Sequence, residues 1–335
     1  MTNDAPASTR SSPLLAVEAC GLVKTFGTNR AVDGVDLVVH GGEVFGVLGP
    51  NGAGKTTMLQ MLATLLPIDG GTARIFGYDV QRQPHAVRQL IGVTGQYASV
   101  DELLTGRENL RLFGRLQGLS SKLARSIGDD LLAQFALTEA ADRYVMHYSG
   151  GMRRRLDLAA SLMTRPAVIF LDEPTTGLDP RTRAQMWATI RALVADGCTI
   201  LLTTQYLDEA DQLADRIAVI DRGRKVAEGT SAELKAQVGG SSLRVQLADG
   251  GDARTAAAVA GEVSHHVPVL LATGTGFSVS LSDANQAADV LIALRQRNID
   301  ILNATIDQPT LDEVFMALTG HPGATSSPDP EANAA

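Results

Sequence analysis

Short apolar and β-branched runs alternate with amphipathic stretches from residue 14 to about residue 238. The runs at 44–48, 168–171 and 199–202 are mainly apolar and bounded by turn residues, which is typical of buried strands. This alternation predicts an α/β domain around a mostly parallel sheet. Between about residues 105 and 164 the strand pattern gives way to helical spacing. We therefore expect a helical subdomain within the first domain.

A different pattern begins after the Gly-Gly-Ser-Ser sequence at 239–242. Apolar spacing predicts, in chain order, a strand at 243–247, a helix at 253–260, strands at 267–272 and 277–281, a helix at 283–297 and a strand at 299–306. This β-α-β-β-α-β order is that of the ferredoxin-like fold, and a last helix is expected at 309–318. The predicted organisation is a disordered tail (1–13), a first domain (14–238), a small α+β second domain (243–320) and a disordered tail (321–335).

Charge and composition narrow the range of partners. The chain has 335 residues and a net charge of −8, from 29 Lys and Arg against 37 Asp and Glu. Such a chain has no general attraction to nucleic acid, so we expect no nucleic-acid partner. Two cysteines are too few for a disulfide scaffold, which favours a reducing cytosol. The sequence contains neither an export signal nor about 20 consecutive apolar residues, so we expect any membrane role to depend on a partner.

Residues 49–56 (GPNGAGKT) fit the pattern G-x-x-x-x-G-K-[ST] between a predicted strand and a predicted helix. Glycines there let backbone N–H groups and the helix N-terminus converge on a triphosphate. Lys55 is expected to reach the β- and γ-phosphates, and the Thr56 hydroxyl to bind Mg²⁺. A glycine-rich turn with a chance lysine is the structural alternative. The predicted ATP-binding residues of this phosphate loop are Gly49, Pro50, Asn51, Gly52, Ala53, Gly54, Lys55, Thr56 and Thr57.

Two adjacent carboxylates, Asp172 and Glu173, follow the apolar run at 168–171. Ligands of open α/β sheets bind at the carboxyl ends of strands, where this pair is expected to lie. We expect Asp172 to hold Mg²⁺ and Glu173 to act as general base on the attacking water. A strand that simply runs out into solvent is the structural alternative, and the phosphate loop upstream weakens it.

A second glycine-rich turn, at residues 148–152 (YSGGM), precedes a predicted apolar helix. One nucleotide does not need two phosphate-facing turns in one chain. The YSGGM sequence resembles the signature of ATP-binding cassette (ABC) ATPases, more often written LSGGQ, and the resemblance covers residues 14–238. It implies a P-loop ABC-type nucleotide-binding domain with a helical subdomain. Ser149, Gly150 and Gly151 would then contact the ATP bound by a second chain.

The ABC resemblance implies roles for four more residues. Phe26 is expected to stack on adenine, Gln96 to contact Mg²⁺ and the attacking water, and Asp179 to link the two nucleotide sites across a dimer interface. The structural alternatives are a core aromatic, an exposed loop residue and a simple turn. The family normally has a histidine in place of Gln205, contacting the γ-phosphate. An amide can donate a hydrogen bond but carries no positive charge, so hydrolysis is expected to be slower or to depend more on Glu173.

Longer segments narrow the resemblance further. YSGGMRRRLDLA, LDEPTTGLDPR, LLTTQYLDEAD and PTLDEVFMALTG are similar to segments of the ATPase subunits of daunorubicin/doxorubicin-resistance-type exporters. That family implies two ATPase chains, a separate transmembrane permease subunit, a position on the cytoplasmic face of the membrane and export of hydrophobic antibiotics or lipids.

A soluble ABC ATPase acting on a ribosome or nucleic acid is the alternative function. It is disfavoured because the chain has one cassette, no long heptad run and a net negative charge. A degenerate nucleotide-binding regulator is disfavoured because Lys55, Asp172 and Glu173 are all present.

Two further features each have a structural and a functional interpretation. Leu311, Val314, Phe315 and Leu318 form an i, i+3, i+4, i+7 stripe, which either packs on its own domain or contacts another subunit. The three arginines at 153–155 are expected to form a solvated helix face rather than an anion site.

Overall fold

The computed structural model describes residues 14–95, 99–238, 241–248, 253–271, 274–282, 284–307 and 310–319. They form two compact units, the first ending at Glu228 and the second beginning at Gly229. The predicted tails at 1–13 and 321–335 lie outside the described residues, as does Gln96. Among the described residues, no helix combines the length and the apolar character needed to cross a membrane.

A six-stranded sheet of order β10-β9-β3-β8-β7-β6 lies in the first unit. Its strands are β3 (Val44–Leu48), β6 (Ile91–Thr94), β7 (Val168–Asp172), β8 (Thr199–Thr204), β9 (Arg216–Asp221) and β10 (Arg224–Gly229). The pairs β3–β8, β3–β9, β6–β7 and β7–β8 are parallel, in agreement with the predicted α/β class. The carboxyl ends of β3, β7 and β8 therefore meet at one edge of the sheet.

The central strands are covered on both faces. Every residue of β3, β7 and β8 is buried. Phe170 and Leu201 belong to one apolar cluster, whereas their neighbours Ile169 and Ile200 belong to another. Strands buried on both faces are continuous apolar runs, which is why the sequence located them.

A second, antiparallel sheet of order β2-β1-β4-β5 also belongs to the first unit. Its strands are β1 (Leu15–Phe26), β2 (Asn29–His40), β4 (Gly70–Ile75) and β5 (Tyr78–Asp79). The prediction of one mostly parallel sheet did not include it. In β2 buried residues alternate with exposed ones at Val35, Leu37 and Val39, so this strand lacks the continuous apolar run of a central strand.

The helices of the first unit are α1 (Lys55–Leu62), α2 (Pro84–Leu90), α3 (Gly106–Leu116), α4 (Ser121–Gln134), α5 (Gly150–Ser161), α6 (Pro180–Ala195) and α7 (Leu207–Leu213). The segment predicted as a helical subdomain contains α3, α4 and α5. These three helices begin after Thr105, Ser120 and Ser149, whose side chains accept a hydrogen bond from the backbone N–H three residues later. Hydroxyl N-caps of this kind fix where a helix starts.

The second unit contains an antiparallel sheet of order β12-β13-β11-β14. Its strands are β11 (Ser242–Leu247), β12 (Val269–Leu270), β13 (Gly276–Ser280) and β14 (Ile301–Asp307), and the intervening helices are α9 (Ala253–Ser264) and α10 (Ala284–Gln296). In β11, Leu243, Val245 and Leu247 are buried in a cluster with residues of α9 and α10. The alternate residues Arg244 and Gln246 are exposed, so one face of this sheet is open.

Two further helices of the second unit, α8 (Ser231–Val238) and α11 (Leu311–Thr319), pack against each other. The stripe residues Leu311, Val314 and Phe315 are buried, and so is Leu234 of α8. The stripe therefore packs within its own unit. The predicted boundary after residue 238 differs from the division at Gly229, because α8 packs against α11 and so belongs to the second unit.

Candidate functional site

The phosphate loop connects β3 to α1. A Cβ at Gly49 would lie 2.3 Å from the Ile220 carbonyl oxygen, and one at Gly54 would lie 2.2 Å from the Ala31 carbonyl oxygen. Gly54 also has φ 101°, a conformation that other residues rarely adopt. These two glycines are therefore required by the backbone that surrounds the loop.

Lys55 is the first residue of α1, and its side chain is buried. The Nζ donates hydrogen bonds to the carbonyl oxygens of Gly49 at 2.8 Å and Pro50 at 3.1 Å. It also lies 3.7 Å from Oε1 of Glu173. Burial lowers the pKa of Lys55, and the charges of Glu173 and Asp172 oppose that shift. The ammonium group thus lies at the helix N-terminus that faces the carboxyl ends of β3 and β7.

Asp172 ends β7 and accepts two hydroxyl hydrogen bonds on Oδ1. Thr56 Oγ1 donates one at 3.0 Å, and Thr203 Oγ1 donates the other at 2.5 Å. Hydroxyl and carboxylate oxygens are the ligands that Mg²⁺ prefers, usually together with the phosphates of its substrate. The oxygens of Thr56 and Asp172 therefore fit the predicted metal site.

Glu173 adopts φ 48°, the left-handed region, which is uncommon for residues other than glycine. Its backbone N–H donates to the carbonyl oxygen of Thr203 at 3.1 Å and to Thr203 Oγ1 at 3.2 Å. Its carboxylate Oε2 accepts a hydrogen bond from Thr176 Oγ1 at 3.2 Å. The sharp turn directs the carboxylate towards Lys55. Strained backbone of this kind persists only where its surroundings hold it.

A cavity of about 310 Å³ lies beside the phosphate loop, lined by Phe26, Asn29, Ala31, residues 51–57 and Glu173. The ring of Phe26 is 49% exposed, which excludes the core-aromatic alternative. The Lys24 ammonium lies 5.6 Å from the ring centroid and pairs with Asp69 at 2.8 Å. Phe26 and the phosphate loop therefore line the same cavity.

The signature turn lies at the N-terminus of α5. Ser149 is the N-cap, and its Oγ accepts a hydrogen bond from the Met152 N–H at 3.2 Å. A Cβ at Gly151 would lie 2.4 Å from Cγ2 of Thr182, so the turn packs closely against α6. A Cβ at Gly150 would meet no atom within 4 Å. The side of the turn at Gly150 is therefore open.

For three predicted site residues the structure does not test the expected role. Gln205 directly follows β8, the strand between β3 and β7 in the sheet, and is half-buried. Asp179 caps α6 by accepting hydrogen bonds from Thr182 N–H at 2.9 Å and Thr182 Oγ1 at 2.6 Å, which lowers the pKa of Asp179. Gln96 lies outside the described residues. The roles of all three stay predictions.

The prediction that residues 153–155 form a solvated face is wrong at Arg154, which faces inward. All three arginines are half-buried. Arg153 pairs with Glu102, and Arg155 donates to the Phe135 carbonyl oxygen at 3.0 Å. Arg154 reaches the turn that carries Asp172 and Glu173. A run of three arginines in a sequence does not indicate which of them faces inward.

Glu209 is a second residue that the sequence did not indicate. It lies on α7 with no exposed surface, and its Oε1 accepts hydrogen bonds from Thr175 Oγ1 at 2.8 Å and Trp187 Nε1 at 3.3 Å. Burial raises its pKa. Glu209 thus connects the segment after β7 to the helix after β8. An acidic residue in a short polar helix is ordinarily exposed, so the sequence did not indicate that Glu209 is buried.

Comparison with known proteins places this geometry in a family. A family model described as "ABC transporter" matches residues 32–176, and one described as "ATP-binding protein DrrA1-3-like, C-terminal domain" matches residues 229–319. The chain is 54% identical to the daunorubicin/doxorubicin resistance ATP-binding protein DrrA of Streptomyces peucetius, over 93% of this chain and 94% of that protein. The chain belongs to the ABC transporter ATP-binding family.

Other relatives agree with this membership. The doxorubicin resistance ATP-binding protein DrrA of Mycobacterium tuberculosis is 44% identical, over 92% of this chain and 95% of the relative. The Nod factor export ATP-binding protein I of Sinorhizobium fredii is 38% identical, over 93% and 88%. The predicted resemblance to ABC ATPases of the drug-resistance type is confirmed.

Solved structures support the ABC ATPase fold. An ATP-binding subunit of an ABC transporter superposes with a TM-score of 0.60 at 28% identity, covering 66% of this chain and 92% of that one. An ATP-binding cassette in a dimeric post-hydrolysis state, bound to ADP and phosphate, gives 0.59 at 25% identity, covering 64% and 98%. ABC ATP-binding cassettes bind and hydrolyse ATP, so the chain is an ATPase. The alternative of a soluble cassette acting on a ribosome is not supported.

Proposed function

We propose that the cavity beside the phosphate loop binds ATP, with adenine against Phe26 and the triphosphate along residues 49–57. Lys55 contacts the β- and γ-phosphates, and the Thr56 hydroxyl and Asp172 hold Mg²⁺. When bound, Mg²⁺ neutralises charge on the β- and γ-phosphates. Two contacts at the phosphate loop support this proposal: Thr56 Oγ1 lies 3.0 Å from Asp172 Oδ1, and Lys55 Nζ lies 3.7 Å from Glu173 Oε1.

Hydrolysis needs a group that accepts the proton of the attacking water. Glu173 has a carboxylate beside Lys55 and a backbone held in the left-handed turn, and it is the general base of this proposal. Gln205 donates its amide N–H to the γ-phosphate, and Gln96 orients the water. Asp172 is hydrogen-bonded to two hydroxyl groups, which suits it to metal binding rather than proton transfer.

The complete site needs a second chain. Ser149, Gly150 and Gly151 contact the ATP held by the partner's phosphate loop, and Asp179 lies across the interface between the chains. The open side of the signature turn at Gly150 supports this arrangement. ATP then stabilises the closed dimer, and hydrolysis releases it.

We further propose that the dimer drives a separate transmembrane permease subunit from the cytoplasmic face of the membrane, and that the exported cargo is a hydrophobic drug or lipid. The 54% identity to a protein named for daunorubicin and doxorubicin resistance supports this proposal. The second domain is proposed to be ferredoxin-like, because its sheet order β12-β13-β11-β14 is antiparallel throughout and its elements follow the β-α-β-β-α-β order.

The transport proposal is tested with the chain purified from native membranes together with its membrane subunit. After reconstitution into proteoliposomes, ATP is expected to drive accumulation of fluorescent doxorubicin in the wild-type complex. The same complex carrying Glu173→Gln is the control and should not accumulate the drug. ATP hydrolysis that moves neither doxorubicin nor a fluorescent lipid would contradict the proposal.

A further inference from the structure

Arg154 joins the signature helix to the turn that carries the two catalytic carboxylates. All three nitrogens of its guanidinium donate hydrogen bonds. Nε donates to the carbonyl oxygen of Pro174 at 3.1 Å, and Nη1 to that of Gly95 at 2.5 Å. Nη2 donates to the carbonyl oxygens of Asp172 at 2.8 Å and Glu173 at 3.0 Å. One planar side chain thus binds four main-chain oxygens.

The three carbonyl groups of residues 172–174 converge on one guanidinium because the chain turns sharply at Glu173. Its φ of 48° is unfavourable for a residue with a side chain. Partly buried carbonyl oxygens brought together in this way need a donor. A guanidinium supplies several donors in one rigid plane, which an ammonium group does not.

The turn is held from the other side as well. The Glu173 N–H donates to Thr203 on β8, whereas the Glu173 carbonyl oxygen accepts from Arg154 on α5. The main chain of Glu173 is therefore fixed at both of its polar groups. This double attachment sets the direction of a carboxylate whose Oε1 lies 3.7 Å from Lys55 Nζ.

Nearby carboxylates also favour the positive charge of Arg154. Burial lowers the pKa of Arg154, and the carboxylates of Asp157, Asp172, Glu209 and Glu173 oppose that shift. Arginine stays charged under such conditions.

We propose that Arg154 is a positioning residue for hydrolysis: it holds the Glu173 backbone in its left-handed conformation and fastens the catalytic turn to the signature helix. This inference rests on the proposed role of Glu173 as general base. Arg154 is not among the described residues that line the proposed ATP cavity. Its loss should therefore lower the rate of hydrolysis without weakening ATP binding.

The test compares substitutions at two neighbouring arginines in the full-length chain. Arg154→Met is expected to lower kcat by about 10- to 100-fold, since small misplacements of catalytic groups have effects of this size. The KM for ATP should change by less than about threefold. Arg155→Met is the matched control, because Arg155 is also half-buried on the same helix but binds the Phe135 carbonyl oxygen. Its kcat should stay within about twofold of wild type.

Two further variants separate positioning from general stability. Arg154→Lys keeps the charge and most of the stem but cannot span four carbonyl groups, so its kcat should also fall at least tenfold. Arg154→Gly leaves space for a small cation, and added guanidinium chloride at low millimolar concentration should raise its kcat severalfold. Methylammonium chloride at the same ionic strength should not.

The proposal is overturned if Arg154→Lys retains wild-type kcat, or if Arg154→Met raises KM as much as it lowers kcat. Loss of kcat in Arg155→Met equal to that in Arg154→Met would equally show that the effect is a general one of the helix. Glu173→Gln, assayed in parallel, tests the role of Glu173 itself. Its full activity would refute the general base while leaving the measured effect of Arg154 intact.

Discussion

Strands β7 and β8 of the first unit are buried at every position, whereas β11 of the second unit alternates buried and exposed residues. The buried carboxylates Asp172 and Glu173 lie at the carboxyl end of β7, a strand that is covered on both faces. Among the described residues, the buried Lys, Asp and Glu side chains all lie in the first unit: Lys24, Lys55, Asp157, Asp172, Glu173 and Glu209.

The second unit places its charged groups differently. The pairs Arg244–Asp307 and Arg297–Glu262 are well exposed. Exposed pairs are screened by water and contribute little, whereas buried charges interact strongly with their neighbours. Single substitutions at the carboxyl ends of β3 and β7 should therefore alter ATP hydrolysis, whereas substitutions in the second unit should act through its apolar core.

The largest effect is expected at Lys55. Lys55→Ala removes a charge-assisted contact to phosphate worth on the order of 1.5–3 kcal/mol, which should weaken ATP binding and abolish hydrolysis. Lys122→Ala, at an exposed position on α4, is the matched control and should hydrolyse ATP normally. Steady-state phosphate release measures both variants. Unchanged turnover of Lys55→Ala at saturating ATP would contradict the assignment of residues 49–57 as a phosphate loop.

Truncation of a core phenylalanine should affect the two units differently. Phe170 and Phe277 both have no exposed surface, and truncation to Ala should destabilise each unit by about 3–5 kcal/mol. Phe170→Ala should also weaken ATP binding, whereas Phe277→Ala should leave the ATP affinity intact. Thermal unfolding with and without ATP separates the two, because ATP stabilises only the unit that binds it. Equal loss of ATP affinity in both variants would show that the units do not unfold separately.

An intermediate effect is expected at Gln205. Gln205→Ala should lower turnover with little change in ATP affinity, because it removes the proposed donor to the γ-phosphate. Gln205→His should keep or raise turnover, since imidazole donates a hydrogen bond and can carry charge. The measurement is the steady-state rate of wild type and both variants at saturating ATP. Three equal rates would show that this position has no catalytic role.

The smallest effect concerns the pH dependence of stability at Glu209. Burial raises the pKa of Glu209 in the folded state, so folding favours its protonated form. The stability that Glu209 contributes is complete below its unfolded pKa and is lost as pH rises through the folded pKa. Glu209→Gln is neutral throughout, so its stability relative to wild type should increase between pH 5 and pH 8.

Urea unfolding at the two pH values measures this difference, which should stay within the 0.5–3 kcal/mol that is usual for single substitutions. Glu139→Gln, at an exposed position, controls for the removal of one carboxylate. A relative stability of Glu209→Gln that falls as pH rises would contradict the prediction.

The same contrast explains how much could be predicted from the sequence. Continuous apolar runs located β3 and β7 to within one residue, and the phosphate loop and Asp172-Glu173 lie at their ends as predicted. The antiparallel sheet of the first unit, β2-β1-β4-β5, was not predicted. A strand such as β2, in which buried and exposed residues alternate, has no continuous apolar run in the sequence. The contacts of Arg154 and Glu209 were not predicted. They depend on packing between elements that are distant in sequence, whereas residue spacing describes only one element at a time.

The central claim is that two chains share each nucleotide, with Lys55 of one chain and Ser149 of the other on opposite sides of ATP. Glu173→Gln removes the proposed general base while keeping the shape of the side chain, so ATP should remain unhydrolysed and the dimer should stay closed. Size-exclusion chromatography with light scattering measures this state directly, on the isolated chain and on the complex with its membrane subunit. We expect Glu173→Gln to shift from monomer to dimer, or to a closed complex, with ATP and not with ADP. If neither the isolated variant nor the assembled complex shows an ATP-dependent closed state, the shared-site account is wrong.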